Sequence, residues 1–451
     1  MVDMSKIKDF TEGKISKQLV VFAAPLFLSN LMQVVYNMVD MIVVGNVMGK
    51  VGISAVSVGG DLCNLLTFIA IGFSNAGQVL VAKYIGAGER DKLGKFMGTL
   101  SSFLMFSALG ISVISILFQD VLLKLMNTPE AAYASAAEYS FICMIGLVFI
   151  YGYNMVSAVL RGMGDSKHPF IFVTLAACVN LVLDLVLVMG LGMGAAGAAL
   201  ATVTSQALSF IVSAVFLLKN KEAFELKAKV RDFIVPDKEM LSALVKLGIP
   251  MAIKMASVQV SKLFVNSFIN SYGVEVSAFS GIANKISSIS NLISAAMNTS
   301  GSTMVGQNIA ARKYDRVKGI LKSLSVITLS VSTFMTVVFF LFDTEIIGFF
   351  ADGDAAVVEV GKYFPPIAAL LFYASALRAI MNALLNGSGN YKVNFATAIF
   401  DGIIMRIGLA LLFGIVLDMK HYGFWLGDAI AGFTPFVIGI VFYATGRWKK
   451  P

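Results

Sequence analysis

The stretch MVSAVLRGMGDSKHPF at residues 155–170 recurs as IMNALLNGSGNYKVNF at residues 380–395. Six of the sixteen positions are identical, including two glycines in each copy, and the offset is 225 residues. The same offset relates Pro25 to Pro250. Shared apolar composition alone would not align proline, glycine and lysine in this way. The chain is therefore predicted to contain two copies of one structural unit.

The composition indicates that each copy lies in a membrane. Of the 451 residues, 57% are hydrophobic and only 14% are charged, whereas soluble proteins have about 45–50% apolar and about 25% charged residues. This composition excludes a soluble enzyme and a disordered chain. Long unbroken apolar runs predict an all-α polytopic membrane protein, because a β-barrel shows short alternating segments instead.

Several chemical classes are also excluded by the motifs. The cysteines Cys63, Cys143 and Cys178 lie inside apolar runs with no CxxC pair, and two histidines are too few for a zinc site. One GxGxxG match at residues 192–197 has no strand before it, so it predicts a tight turn and close helix packing. No ATP-binding loop motif is present. We therefore expect neither an enzyme nor a bound cofactor.

Twelve apolar runs are each long enough to cross a hydrocarbon core of about 30 Å. They cover residues 18–44, 53–82, 94–118, 131–160, 169–190, 195–218, 242–271, 276–306, 321–342, 357–385, 393–417 and 422–446.

The repeat divides these spans into two six-helix lobes. The predicted lobes are 18–218 and 241–446, joined by a polar linker at 219–240, with terminal segments 1–17 and 447–451. Six is an even number, so both copies insert in the same orientation and are expected to be related by a pseudo-twofold axis along the membrane normal.

Most loop lysines and arginines lie in alternate loops, which predicts that both termini are in the cytoplasm. The net charge of +8 is then a topology signal. Because the positive charges are spread over several loops, nucleic-acid binding is not expected. Two like-oriented lobes with no ATPase predict a secondary transporter that works by alternating access, with the halves rocking about a central cavity.

Ionisable residues inside the spans are the candidate functional groups, since a charge at the bilayer centre costs about 3 kcal/mol on insertion scales. Asp40 and Asp184 are predicted to reach a similar depth in the first lobe. Asn180 shares a helical face with Asp184, and Thr202 lies at a comparable level. These four residues are interpreted as a cluster that binds and releases a cation. The alternative is that the two acids only cap or pair near the outer interface.

Further polar residues in the first lobe are candidates for a substrate pocket, namely Tyr36, Asn37, Tyr139 and Asn154. The alternative for Tyr139 and Asn154 is ordinary hydrogen bonding between helices.

Pro25 and its repeat equivalent Pro250 are predicted to have a conformational role. Proline removes a backbone hydrogen bond and allows a helix to bend. The alternative is a kink that is only structural.

The second lobe does not repeat the acid pair, because Val265 and Leu409 stand at the equivalent positions. Instead its spans carry charges of both signs, namely Lys254, Lys262, Lys285, Arg378, Asp401, Arg406 and Asp428. One interpretation is internal pairing of Arg406 with Asp401 or Asp428, together with lysines that extend to the interface. The other is a positively charged part of the cavity, suited to anionic or zwitterionic cargo.

Taken together, these features resemble the multidrug and toxic compound extrusion (MATE) family over the full chain length. The resemblance rests on Pro25 with Asp40, on RGMGD at 161–165 with its echo NGSGN at 386–390, on Asn180-x-x-x-Asp184, and on GAAGAALAT at 194–202.

The resemblance implies an exporter of amphipathic, often cationic compounds in exchange for H⁺ or Na⁺, acting as a monomer in contact with membrane lipid. It also implies that Asp40, Asp184, Asn180, Thr202, Tyr139 and Asn154 line the pocket for the cation and the drug.

In one respect the chain departs from those members that bind Na⁺ through acids of the second lobe. Residues 251–262 contain no acid, and Arg378 is the only charge in 365–385. This departure favours coupling at Asp40 and Asp184. Two alternatives remain open, a major facilitator transporter and a flippase for lipid-linked precursors.

Overall fold

Helices make up nearly all of the chain between Lys6 and Lys449, and these residues form no strand. The structure, a computed structural model, describes residues 6–449, so the ends of the predicted segments 1–17 and 447–451 lie outside the described residues. Ten described helices are long and apolar enough to cross a membrane. The first of them contains two spans, and a further long helix, α8, completes the predicted twelve. The all-α polytopic fold is therefore confirmed.

The first half of the chain provides six spans. Its helices are α1 (Ile15–Gly86), α2 (Leu93–Leu117), the short α3 (Gln119–Leu125), α4 (Glu130–Gly162), α5 (Lys167–Asp184) and α6 (Gly194–Lys219). Helix α5 continues as a π-helical segment, Leu185–Gly190. Two 3-10 turns lie at Arg90–Lys92 and Val230–Phe233.

The second half also provides six spans. Its helices are α7 (Lys238–Asn270), α8 (Val274–Ala310), α9 (Tyr314–Leu341), α10 (Asp343–Phe350), α11 (Ala355–Gly361), α12 (Pro365–Gly387), α13 (Tyr391–Ile399), α14 (Arg406–Leu411), α15 (Lys420–Ala431) and α16 (Thr434–Ala444). π-Helical segments at Phe400–Met405 and Leu412–Val416 flank α14, and a 3-10 turn lies at Arg447–Lys449.

Gly49 joins the two spans of α1. Its backbone angles, φ 60° and ψ −148°, are the only non-helical pair within α1, and they fall in a region that is essentially restricted to glycine. One residue therefore replaces the loop that the sequence predicts between residues 44 and 53. An added Cβ at Gly49 would meet nothing within 4 Å, so the requirement for glycine comes from the backbone angles and not from crowding.

By its contacts, the described chain forms two compact units. Unit 1 comprises Ala24–Ala252 and the described residues up to Asp9. Its interior contains large buried side chains such as Phe96 and Tyr151. The Tyr151 hydroxyl donates to the Leu66 carbonyl at 2.7 Å. Because lipid is as apolar as these side chains, close packing and such hydrogen bonds hold the helices together.

Unit 2 comprises Phe10–Ala23 and the described residues from Ile253 onward. An aromatic cluster lies in its interior, where the Phe279 ring is 5.1 Å from Trp425 and 5.2 Å from Phe364. The segment before α1 is tied to the same unit. The Phe10 amide donates to Gln307 at 2.9 Å, and Arg316 donates to the Phe10 carbonyl at 3.0 Å.

The repeated stretch makes the same joint in both units. A Cβ on Gly162 would lie 2.7 Å from Val81, and a Cβ on Gly387 would lie 2.8 Å from Val305, so each glycine allows two helices to approach closely. Two residues later in each copy, a glycine with positive φ ends the helix. The sequence repeat therefore corresponds to a repeated packing contact, with a glycine against a valine in each unit.

Candidate functional site

The predicted acid pair is formed by α1 and α5 inside unit 1. The carboxyl groups of Asp40 and Asp184 lie close enough together to interact electrostatically. Helix α6 contributes Thr202, whose hydroxyl donates to Asp40 Oδ2 at 3.4 Å. Asp184 ends the regular part of α5, directly before the π-helical segment Leu185–Gly190, and such segments are frequent at functional sites.

This cluster is deeply buried and incompletely hydrogen-bonded. Asp40 is 4% exposed, Asn180 2% and Asp184 0%. Asp40 Oδ1, both carboxylate oxygens of Asp184 and the Asn180 side-chain nitrogen have no hydrogen-bond partner among the described residues. Two adjacent carboxylates in a dry environment repel each other unless a proton or cation lies between them. The arrangement is therefore suited to holding a small cation.

Beside the acid pair lies a cavity of about 330 Å³, the first-unit cavity, lined by residues of α1, α4 and α6. It brings together most of the residues predicted for coupling and for the pocket, namely Tyr36, Asn37, Asp40, Tyr139, Asn154 and Thr202. Asn180 and Asp184 do not line it. The acid pair thus has one member facing the cavity and one enclosed by protein.

Other polar residues that line this cavity were not predicted from the sequence. The most notable is Asp61, a second carboxylate that lines it from the second span of α1. Further polar side chains there are Gln33, Asn64, Thr67, Tyr153 and Gln206. The signal for Asp61 was present, since it is an acid within the apolar run 53–82. What the sequence did not show is which face of the span meets the cavity.

The two prolines of the repeat lie inside long helices. Pro25 is in α1 and Pro250 is in α7, and neither is accompanied by non-helical backbone angles there. The Ser29 hydroxyl donates to the Pro25 carbonyl at 2.8 Å. Their conformational role stays a prediction.

In unit 2 the buried charges form a network centred on Arg406. Its guanidinium pairs with Asp401 at 3.2 Å and also with Asp428. Arg406 is 2% exposed and Asp401 1%. The internal pairing considered from the sequence is therefore present for these three residues.

Three further cations of the spans, Lys254, Lys262 and Arg378, form no ion pair with a carboxylate of the described residues. Lys254 donates to Asn382 at 2.6 Å, and Arg378 donates to Asn291 at 2.7 Å. For Lys262, no carboxylate oxygen of the described residues lies within 4.0 Å of the ammonium group. Lys262, Arg378, Arg406 and Asp428 line a small cavity of about 60 Å³, the second-unit cavity.

No group of three or more His, Cys, Asp or Glu side chains that could hold a metal ion occurs in residues 6–449.

Curated relatives cover almost the whole chain. The Bacillus subtilis (strain 168) protein named "Probable multidrug resistance protein YpnP" is 28% identical over 446 residues, which is 98% of each chain. The Staphylococcus aureus (strain N315) "Multidrug export protein MepA" is 22% identical and covers 88% of this chain and 87% of its own.

Solved structures share the fold. A MOP superfamily transporter from Pyrococcus furiosus matches with a TM-score of 0.89 and 21% identity, covering 99% of both chains. A family model described as MatE matches the chain twice, at residues 25–186 and 250–412, and so covers both copies of the repeat. The chain therefore belongs to the MatE family of membrane transporters.

Proposed function

We propose that the protein is a secondary multidrug exporter that exchanges amphipathic, often cationic compounds for H⁺ or Na⁺ by alternating access. The observation that carries this proposal is the proximity of the buried carboxyl groups of Asp40 and Asp184, beside a cavity large enough for a drug-sized ligand.

The acid pair supports ion coupling for an electrostatic reason. A proton between the two carboxyl groups, or Na⁺ with oxygen ligands from Asp40, Asp184 and Thr202, would relieve their repulsion. Loss of the ion restores the repulsion. An ion that binds one conformation better than another shifts the equilibrium between them, and this shift is what alternating access requires.

The first-unit cavity supports the choice of substrate. The rings of Tyr36, Tyr139 and Tyr153 line it together with the carboxylates of Asp40 and Asp61. Aromatic faces attract organic cations, and the carboxylates add negative charge. The names of the curated relatives refer to multidrug resistance and multidrug export. Because the chain belongs to the MatE family, the alternative of a major facilitator transporter is excluded.

The location and assembly follow from the same proposal. The distribution of basic loop residues supports the cytoplasmic membrane of a prokaryotic cell, with both termini in the cytoplasm. Because one chain contains both copies of the repeat, the protein is proposed to act as a monomer in contact with lipid.

The test is transport in proteoliposomes, with a pH gradient and a Na⁺ gradient imposed separately and ethidium as the transported compound. Asp40→Asn and Asp184→Asn should each reduce gradient-driven transport by about tenfold or more, within the usual range of coupling between sites. The gradient that drives the unmodified protein identifies the coupling ion.

Asp91→Asn is the matched control, since it removes an exposed carboxylate of unit 1 that does not line the cavity and leaves the pair intact. It should retain driven transport within about twofold, because it changes no group of the coupling pair. Unchanged transport by Asp40→Asn would show that the coupling assignment is wrong.

A further inference from the structure

The second-unit cavity has a surplus of positive charge. Three cations line it, Lys262, Arg378 and Arg406, with one carboxylate, Asp428. Arg406 is bonded to both Asp401 and Asp428, so these two acids are already engaged. Lys262 is attracted by the charge of Asp428, but no carboxylate of the described residues forms an ion pair with Lys262 or Arg378. Because Arg406 neutralises only one of the two acids, the three cations and two acids carry a net charge of +1, and Lys262 and Arg378 are the two cations outside the ion-paired group.

Burying unpaired charges is expensive, so charged residues within membrane spans normally pair or serve a substrate pathway. Arg378 makes one hydrogen bond to the described residues, through Nη2 to Asn291. A guanidinium has five N–H donors in a planar fork that matches a carboxylate or phosphate group. The remaining donors of Arg378 are therefore suited to an anion.

One face of α8 lines the cavity with polar side chains. Helix α8 presents Ser280, Asn284, Ser287 and Asn291 to the cavity, at spacings of four, three and four residues, which place them on one helical face. Hydroxyl and amide groups donate hydrogen bonds to anionic oxygens. The Asn291 carbonyl oxygen already accepts from Arg378 and from Ser375, at 2.7 and 3.0 Å. This leaves the Asn291 NH₂ group as its donor.

Apolar and aromatic side chains also line the cavity, namely Phe364, Leu371, Phe424 and Trp425. A ligand that uses both the polar and the apolar lining has an anionic head and an aromatic or aliphatic body. We propose that the second-unit cavity binds such organic anions, with a carboxylate or phosphate held by Lys262 and Arg378 and the body packed against Trp425.

This site is separate from the coupling pair, which lies in unit 1, and its test requires no ion gradient. If the binding test fails, the proposed exporter function is not affected. If the coupling assignment at Asp40 fails, the proposed anion site is not affected.

The chain supplies its own reporter. It has two tryptophans, and Trp448 packs against Tyr314 and Tyr443, away from the cavity lining. In a Trp448→Phe background, fluorescence reports Trp425 alone. The probes are 4-bromobenzoate, 4-bromophenyl phosphate and the neutral 4-bromobenzamide, because bromine quenches tryptophan at short range. The measurement uses the full-length purified protein in neutral detergent.

We expect both anions to quench Trp425 at concentrations about tenfold or more below the amide, since hydrogen bonds to charged groups are worth that much in affinity. The phosphate should bind more tightly than the benzoate because it carries more charge. Lys262→Gln and Arg378→Gln should each weaken anion binding by about tenfold, and Arg378→Lys should lose less.

Lys285→Gln is the matched control, since Lys285 is an exposed cation of the same unit that does not line the cavity. It should bind both anions like the parent. Equal quenching by the amide and the anions in the parent would overturn the proposal, whether or not the variants fold. So would unchanged anion binding in both glutamine variants.

Discussion

At the scale of single residues, the two units carry chemically different side chains at equivalent positions of the repeat. Asp40 and Asp184 meet inside unit 1, whereas Val265, the repeat equivalent of Asp40, is part of the apolar interior of unit 2. Unit 2 instead buries Arg406 with two acids and leaves two other cations facing a cavity. The chemical difference between the units thus depends on a small number of side chains.

Arg406→Leu is predicted to destabilise the protein by about 3–5 kcal/mol, because it leaves Asp401 buried and Asp428 half-buried without their partner. The measurement is chemical unfolding of the purified protein in detergent, followed by circular dichroism. Lys318→Gln is the control, since it breaks an exposed pair with Asp315 and should leave the stability nearly unchanged.

A loss below about 1 kcal/mol in Arg406→Leu would contradict this assignment. It would mean that Lys262 and Arg378 neutralise the two acids without Arg406.

Candidate functional residues could be predicted from the sequence where a charged residue lies inside an apolar run. Asp40 and Asp184 stand out in apolar runs, and the structure places them together. The prediction failed for Asp61, whose role depends on which face of its helix lines the cavity. An apolar run without a distinct polar face does not indicate that face. The roles of these residues stay predictions.

At the scale of secondary-structure elements, hydropathy predicted the spans because each must bury its own backbone hydrogen bonds within lipid. The π-helical segments Leu185–Gly190 and Leu412–Val416 were not predicted, although they lie at nearly equivalent places in the repeat. One extra residue per turn leaves no signature in an unbroken apolar run. Gly49 was also missed as a one-residue joint, since residues 45–52 have the composition of a loop.

Gly49→Ala is predicted to destabilise the protein by about 1–3 kcal/mol, because a Cβ disfavours the backbone angles of that joint. Gly110→Ala in α2 is the matched control. Both glycines have open space around the added Cβ, but Gly110 has helical angles, so alanine there should stabilise by up to about 1 kcal/mol. Chemical unfolding of both variants measures the difference. Equal effects of the two substitutions would refute the role assigned to the Gly49 backbone.

At the scale of the whole molecule, the repeat predicted two similar halves, and the family model matches each of them. The grouping of Phe10–Ala23 with unit 2 was not predicted. It depends on hydrogen bonds such as those from Arg316 and to Gln307, which join residues about 300 positions apart. Such pairs have no periodicity that one sequence can reveal.

Membrane topology gives the prediction at this scale. In a background with serine in place of the three cysteines, single cysteines are introduced at the exposed positions Lys50 and Lys221. A membrane-impermeant maleimide added to intact cells should label Lys50→Cys, and should label Lys221→Cys only after permeabilisation, because basic loops stay in the cytoplasm. The reverse pattern would invert the proposed orientation.

The matching Gly162–Val81 and Gly387–Val305 contacts have a consequence for protein engineering. Because both units contain the same glycine–valine contact between helices, the effect of a substitution in one half can be compared with the effect of the equivalent substitution in the other half. Transplanting Asp40 and Asp184 as Val265→Asp with Leu409→Asp would ask whether the scaffold accepts an acid pair wherever the repeat places one. The chain thus contains two natural variants of one domain within a single polypeptide.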